Sequence, residues 1–402
     1  MPINFQGLSQ HIQSLAKELR TDLPDRRAIL DEAIALFNSL DEDTIEAARD
    51  AQSTTQRLPW LVARPLTYPL DAKTAAPPPP HHFIVAAADG SNMPPDRHTS
   101  IQFYVINTGM VWLEYGGTAQ CELETETTLY YQTEDLYLDG EARQYPVEGS
   151  RLSARMAIAE LHALRRAVEE ARHRIPDTPI VALLDGTLIL WTIQTEPDQV
   201  RKPLLEEYLQ VLDWFAEQHI PVASYISDSG SYELTNLLRI AICARQTTCC
   251  RPPTPPATEG PLALCRSLER IRDAALMRRH LSPGERSILF ASESQILKHY
   301  REHEVRFFYM HTGEEIARVE IPDWVAQDPD LLALTHAALW DQCRRSGSQP
   351  PYPPALHEAH ECAVLSTQDR QNILNLIEEE LARYQISIQW SAKSMHKRLR
   401  GV

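Results

Sequence analysis

Apolar residues along this chain follow two patterns, a spacing of three to four residues and short unbroken runs. The helical spacing dominates the first 60 or so residues and is clearest in RRAILDEAIALFNSL, from Arg26 to Leu40. An amphipathic helical segment is predicted there. The stretch AAPPPPHH then interrupts the pattern with a stiff proline break. Runs of β type follow: FIVAAADG from Phe83, IQFYVINTG from Ile101 and MVWLEYGG from Met110, with glycines at the expected turns. A helix is predicted from about Arg151 to Arg174, then the strand PIVALLDGTLILW and a helix from about Lys202 to Gln218. The strand PVASYIS and a helix from about Glu233 to Arg245 close this block. Further on, VRFFYMHTGEEIARVEI reads as a hairpin around Thr312 and Gly313. Helices from about Asp323 to Cys343 and from Gln368 to Tyr384 flank the proline cluster SQPPYPPALHEAH. Strands and helices alternate repeatedly, so the expected class is α/β, with crossover helices on a sheet.

Composition narrows this picture only slightly. A chain of 402 residues, 43% hydrophobic and 23% charged, has the make-up of a globular protein with one large domain or two to three ordinary ones. No run approaches the roughly 18 apolar residues of a membrane span, and the N-terminus lacks the pattern of a secretory signal. Seven irregularly spaced cysteines suggest reduced thiols and a cytoplasmic location. Cys243, Cys249, Cys250 and Cys265 fit no zinc ribbon and are read as structural or surface thiols. A formal charge of −16 excludes a protein coated with basic surface, so any nucleic acid must bind in a local groove. The basic stretches are RSLERIRDAALMRRH, read as one helix from Arg266 to His280, and KSMHKRLRGV at the end. Arg278, Arg279, Lys397 and Arg398 are the candidate contacts.

Acidic residues in apolar surroundings carry the chemical signal. Asp185 interrupts VALLDGTLILW, and Asp89 stands in the same place in FIVAAADGS, so each is expected at a strand end. One Asp-Gly pair is usually a turn, but two after long apolar runs ask for more. On the long helix, Leu152, Met156, Leu164, Val168, Ala171 and Ile175 form one apolar stripe, and Glu160 lies in its middle. A carboxylate there needs an arginine, a hydrogen-bond donor or a metal. Together, Asp89, Glu160 and Asp185 make a set of hard oxygen ligands suited to Mg²⁺ or Mn²⁺. Several carboxylates around two metal ions are a common design for phosphodiester hydrolysis.

The ordered set of motifs resembles the NurA nuclease family. It comprises DGS at Asp89, the helix with Glu160, LLDGTL around Asp185, SYISDSGSYELTNLLRIA from Ser224 and YPPALHEAHECAVLS from Tyr352. Tyr352 and His360 match the order and spacing of a late Tyr–His pair in that family. The resemblance spans about Phe83 to Ser366 and is interrupted by the proline-rich TTCCRPPTPPATEG. It implies an RNase H-like mixed α/β sheet core with flanking helices, preceded here by a helical N-terminal extension over 1–75. The nuclease domain would then occupy 80–402, with the proline-rich excursion at about 247–261. It also implies a two-ion, Mn²⁺-dependent DNA nuclease, a homodimer, and a HerA-type hexameric ATPase as partner in DNA end resection.

His360 shares a helical face with Leu356, Ala363 and Val364 and is therefore expected to point inward, with His357 exposed. His360 would join Asp89, Glu160 and Asp185 as a metal ligand or touch the scissile phosphate, and Tyr352 would orient water or phosphate. The helix lacks HExxH, which argues against a zinc protease. Two other readings stand beside the nuclease. One is a non-catalytic adaptor of the same fold that binds DNA or a translocase. The other makes PPYPP a polyproline ligand with Tyr352 exposed.

Overall fold

A computed structural model describes residues 4–55, 60–96, 100–140, 143–244 and 261–386. The proline-rich excursion, Cys249, Cys250, Lys397 and Arg398 lie outside these, as does the side chain of Cys243. Contacts divide the chain into two units, and the first is assembled from three stretches: 1–75, 227–294 and 306–318. Its N-terminal helices are α1, Phe5–Ser39, and α2, Glu42–Thr55. Ala33 and Phe37 of α1 and Ile45 of α2 pack with Leu234, Leu237, Phe290 and Phe307 in one apolar core. The amphipathic pattern in Arg26–Leu40 is thus used as expected, by burial of one stripe. The basic stretch from Arg266 is two helices, Pro261–Leu268 and Asp273–His280, rather than one. The buried Asp273 explains the break. Its carboxylate accepts hydrogen bonds from the amides of Leu234 and Thr235 and from the Tyr309 hydroxyl.

The second unit, 76–226, 295–305 and 319–402, holds five consecutive strands of the main sheet. They are β1, Phe83–Met93; β2, Tyr104–Tyr115; β3, Cys121–Tyr130; β4, Ile180–Asp185; and β5, Val222–Ile226. In space they run β5–β4–β1–β2–β3. The first three form an antiparallel meander, while β4 lies parallel to β1 and β5 parallel to β4. A meander followed by two parallel strands beside its first member is an RNase H-like arrangement. The parallel strands need crossovers. Helix α3, Ser150–Arg174, leads into β4, and α4, Asp198–Glu217, leads into β5. Leu161, Leu164 and Val168 of α3 join Ile84, Ala86, Ala182 and Leu184 of the sheet in the unit's core.

Two glycine-bearing segments depart from the sequence reading. VALLDGTLILW is not strand throughout, because β4 ends at Asp185 and Gly186 adopts a left-handed φ of +84°. The apolar Leu188, Ile189 and Leu190 that follow are core plugs off the strand. IQFYVINTG and MVWLEYGG are not two strands with a turn at Gly109. They form the single strand β2, and Gly109 sits in its middle. A Cβ there would lie 2.3 Å from the carbonyl oxygen of Ala359 and 2.6 Å from the amide of Ala363. Both atoms belong to α5, Pro354–Ala363, which rests directly on the sheet. Gly109 is therefore a contact point for a helix, where only a missing side chain permits the approach. Gly109→Ala should push α5 away and destabilise the protein by about 1–3 kcal/mol. A denaturant midpoint equal to that of wild type would show that the helix does not bear on this position.

Candidate functional site

Backbone register alone brings the two aspartates together. β1 and β4 pair in parallel up to Ala88 and Leu184, so the next residues, Asp89 and Asp185, stand side by side on neighbouring strands. Adjacent strands are about 4.8 Å apart, too close for two uncompensated carboxylates to be indifferent to one another. Asp185 ends its strand as expected. Asp89 does not, because β1 continues for four residues to Met93. Among the described residues the extension pairs only with β2, and no strand pairs with β1 on its β4 side beyond Ala88.

Glu160 reaches the same place from α3, and Gly90 makes room for it. A Cβ on Gly90 would lie 2.6 Å from Oε1 of Glu160 and 2.9 Å from its Cγ. Burial, and then the charges of Asp89 and Asp185, push the Glu160 carboxyl up to about 8. Burial and Asp89 likewise raise Asp185, against opposing effects from the Gly186 amide, the Tyr352 hydroxyl and His360. Among the described residues, no lysine or arginine forms an ion pair with any of the three acids. The buried salt bridge that could have explained Glu160 is absent there.

His360, on α5, is the one basic side chain bonded to the cluster among the described residues. Its Nδ1 lies 2.7 Å from Oδ2 of Asp89. A carboxylate only accepts, so Nδ1 carries the hydrogen and the neutral ring keeps a lone pair on Nε2. The side chain is 54% exposed, which corrects the expectation that it points into the core. The α5 residues that do point inward are Ala355, Leu356, Ala359 and Ala363, while Val364 is exposed. His357 is exposed as expected. Tyr352 is partly buried; its hydroxyl bonds to Asp185, and its ring meets the edge of Tyr225 at 5.6 Å. Tyr225 is itself the register partner of Asp185 on β5. With these contacts Tyr352 is not the free ring that a polyproline ligand requires. All five residues singled out from the sequence thus converge.

Several positioning residues escaped the sequence reading. Ser91 and Asn107 send hydrogen bonds to the Ala363 carbonyl at 2.5 and 2.7 Å, and Thr125 reaches that of Cys362 at 3.0 Å. These three side chains hold the last turn of α5, where helical carbonyls lack partners. Their signal was present, since Ser91 and Asn107 are polar interruptions of apolar strands.

A family model described as the NurA domain matches residues 83–365, a stretch that contains all five residues. The chain belongs to the NurA domain family. The crystal structure of the NurA nuclease from Sulfolobus solfataricus is similar at 12% identity. That match covers 93% of this chain and 97% of that one, with a TM-score of 0.46. The catalytic domain of human endonuclease V matches at 14% identity over 84% of this chain and 99% of its own, with a TM-score of 0.32. No curated protein matches the sequence.

A second group of ligand-type side chains lies elsewhere in the second unit. Asp213, Glu302 and His303 have ligand atoms within 4.8 Å of one another. Nε1–H of Trp324 donates to His303 Nδ1 at 3.2 Å, and Asp213 Oδ1 lies 2.7 Å from Nε2. An indole only donates, so Nδ1 is bare and the proton of the neutral ring sits on Nε2, bonded to Asp213. That tautomer offers Nε2 no lone pair for a cation, and the group reads as a structural tie. Of the basic candidates for DNA contact, the two among the described residues are also engaged. Arg278 bonds to the Glu314 carbonyl, and Arg279 pairs with Asp31 at 3.5 Å. Among the described residues, no helix is long and apolar enough to cross a membrane.

Proposed function

We propose that this member of a nuclease family is a divalent-metal-dependent deoxyribonuclease, with Asp89, Glu160, Asp185 and His360 as metal ligands. The observation that carries this reading is the convergence of three carboxylates from two strands and a helix with, among the described residues, no lysine or arginine paired to them. Such hard oxygen donors fit one or two Mn²⁺ or Mg²⁺ ions. A bound divalent ion would supply charge neutralisation at the phosphate and a more acidic water. The protein's own contribution is positional. Asp89 holds Nδ1 of His360 and so aims the Nε2 lone pair outward, where it can ligate or accept a proton from water. Tyr352 is fixed between Asp185 and Tyr225, where its hydroxyl can orient water or a phosphate oxygen.

Family membership extends the reading to a cytoplasmic homodimer that works with a HerA-type hexameric translocase on DNA ends during double-strand break repair. DNA must then meet a local surface, because the chain as a whole carries −16. The discriminating test is cleavage of labelled single- and double-stranded DNA with Mn²⁺, with Mg²⁺ and with excess EDTA. Cleavage should require a metal and stop in chelator. Undiminished cleavage in EDTA would end the proposal, and binding without cleavage under every metal condition would favour the adaptor.

A further inference from the structure

Arg370 stands near the acid cluster with no carboxylate to match its charge. It lies on α6, Thr367–Arg383, just beyond the residues 83–365 that match the NurA domain. Ser366 caps this helix, and its hydroxyl and amide donate to Oδ2 of Asp369 at 2.6 and 2.9 Å. Asp369 is thereby engaged at the cap. Ile373, Leu374 and Ile377 of α6 pack against Met93, Phe103 and Val105, which seats the helix at the far end of β1. There, Nη2 of Arg370 donates to the Asn92 carbonyl at 2.9 Å, and Nε reaches that of Leu365 at 3.5 Å. Among the described residues these carbonyls are its only partners, and Nη1 bonds to neither. Arg151, Arg155 and Arg166 of α3, by contrast, all pair with glutamates.

The position of the Asn92 carbonyl gives that charge a use. Main-chain groups alternate in direction along a paired strand. Ile84 sends its amide to the Pro179 carbonyl, so the even-numbered residues of β1 turn toward β4. β4 ends at Asp185, and Asn92 therefore faces the edge that no described strand pairs. It lies two residues beyond Gly90, over which Glu160 packs, and three beyond Asp89, or about 7–10 Å along the strand. Its Nδ2 is 3.1 Å from Sδ of Met156, one turn before Glu160 on α3. Arg370 thus borders the acids, yet it is not among the charges that shift Glu160. We propose that Arg370 holds a backbone phosphate of the DNA strand next to the one that is cut. The inference rests on the nuclease reading and adds a substrate contact to it. A carbonyl asks only for a neutral donor, whereas an unmatched guanidinium offers the planar fork that fits a phosphate. The two carbonyls orient the fork and leave its charge intact. A chain of −16 repels DNA over most of its surface, so a fixed cation at the catalytic edge is where a strand is held.

Fluorescence anisotropy of a labelled oligonucleotide, titrated with the full chain in EDTA at salt between about 50 and 200 mM, tests the contact. Arg370→Gln keeps a donor for the carbonyl and removes the charge. It should weaken binding severalfold at low salt and flatten the slope of log K against log salt by about 0.7–0.9, the loss of one phosphate. Its melting temperature, and the rise that Mn²⁺ causes, should match wild type. Arg370→Lys keeps the charge and should keep the slope. An unchanged slope and affinity in Arg370→Gln, while wild type binds and cleaves DNA, overturns this contact alone. Equal losses in the Gln and Lys variants with lower melting temperatures make Arg370 a cap for the strand edge, and overturn it too. A second measurement needs no variant. Bound DNA should protect Arg370 of the wild-type chain from phenylglyoxal, read by peptide mass, and undiminished labelling overturns the contact. A wild-type chain that neither binds nor cleaves DNA overturns the nuclease reading and this contact together.

Discussion

Asp185→Asn is expected to abolish cleavage while leaving the metal-free protein at least as stable as wild type. The substitution keeps the shape of the side chain and leaves an oxygen for the Gly186 amide, 2.9 Å away, and for the Tyr352 hydroxyl. What it removes is a negative charge beside Asp89 on the adjacent strand, the same charge that helps to raise Glu160. Without metal the loss relieves repulsion. With metal the variant lacks a ligand, and a fall in rate of at least about 10²–10³ is the scale for one missing electrostatic contact in an active site. A ligand stabilises only the state that binds it, by about 2.7 kcal/mol at a hundred times its Kd. Mn²⁺ should therefore raise the melting temperature of wild type far more than that of the variant. Melts in EDTA and in Mn²⁺, run beside a cleavage assay, decide the matter. A destabilised yet active variant would return Asp185 to the role of a turn residue.

The acids were legible in the sequence because each breaks a pattern that burial imposes. Asp89 and Asp185 interrupt runs that otherwise pack on both faces of a sheet, and Glu160 interrupts a helical stripe. Such interruptions are costly, so each asks for a compensating partner or a metal. Glycine gave no such clarity, because it serves turns and close contacts alike. Gly109 and Gly90 have the same letter as Gly186, yet only Gly186 has the left-handed φ of a chain reversal. What separates them is the helix lying over Gly109 and the carboxylate over Gly90, and those are long-range facts. The same limit hid the end of β4. Leu188, Ile189 and Leu190 are as apolar as a strand, but they fill the core from an irregular segment. His360 was misjudged for a related reason. Its face was read from neighbours on its own helix, whereas its direction is set by a bond to Asp89 on β1. The interleaving of three stretches in the first unit has no local signature at all, since it arises from contacts between residues far apart in the chain.

The second large effect expected is a proton linked to metal binding through Glu160. Its carboxyl ordinarily titrates near 4.5 and is pushed up to about 8 here by burial and the two aspartates. In the metal-free protein it is therefore mostly protonated at neutral pH. A folded-state pKa above the unfolded one means that the native state binds the extra proton. The stability this contributes is fully present below about 4.5 and is lost as pH rises through about 8. The metal-free protein should thus melt at a lower temperature at pH 8.5 than at pH 6.5, with Glu160→Gln showing a weaker dependence. Metal binding runs the other way, because a carboxylate ligand must give up its proton. Below about pH 8 the apparent Mn²⁺ affinity should rise by about tenfold per pH unit for one linked proton, then level off. Calorimetry at pH 6.5 in two buffers of different protonation enthalpy should count about one proton released through this group. The count should fall toward zero at pH 9 and should vanish in Glu160→Gln even where that variant retains weak binding. A Mn²⁺ affinity that is flat from pH 6 to 8, with no buffer-dependent heat, would remove Glu160 from the ligand set. It would leave Asp89, Asp185 and His360 to account for any metal the site holds.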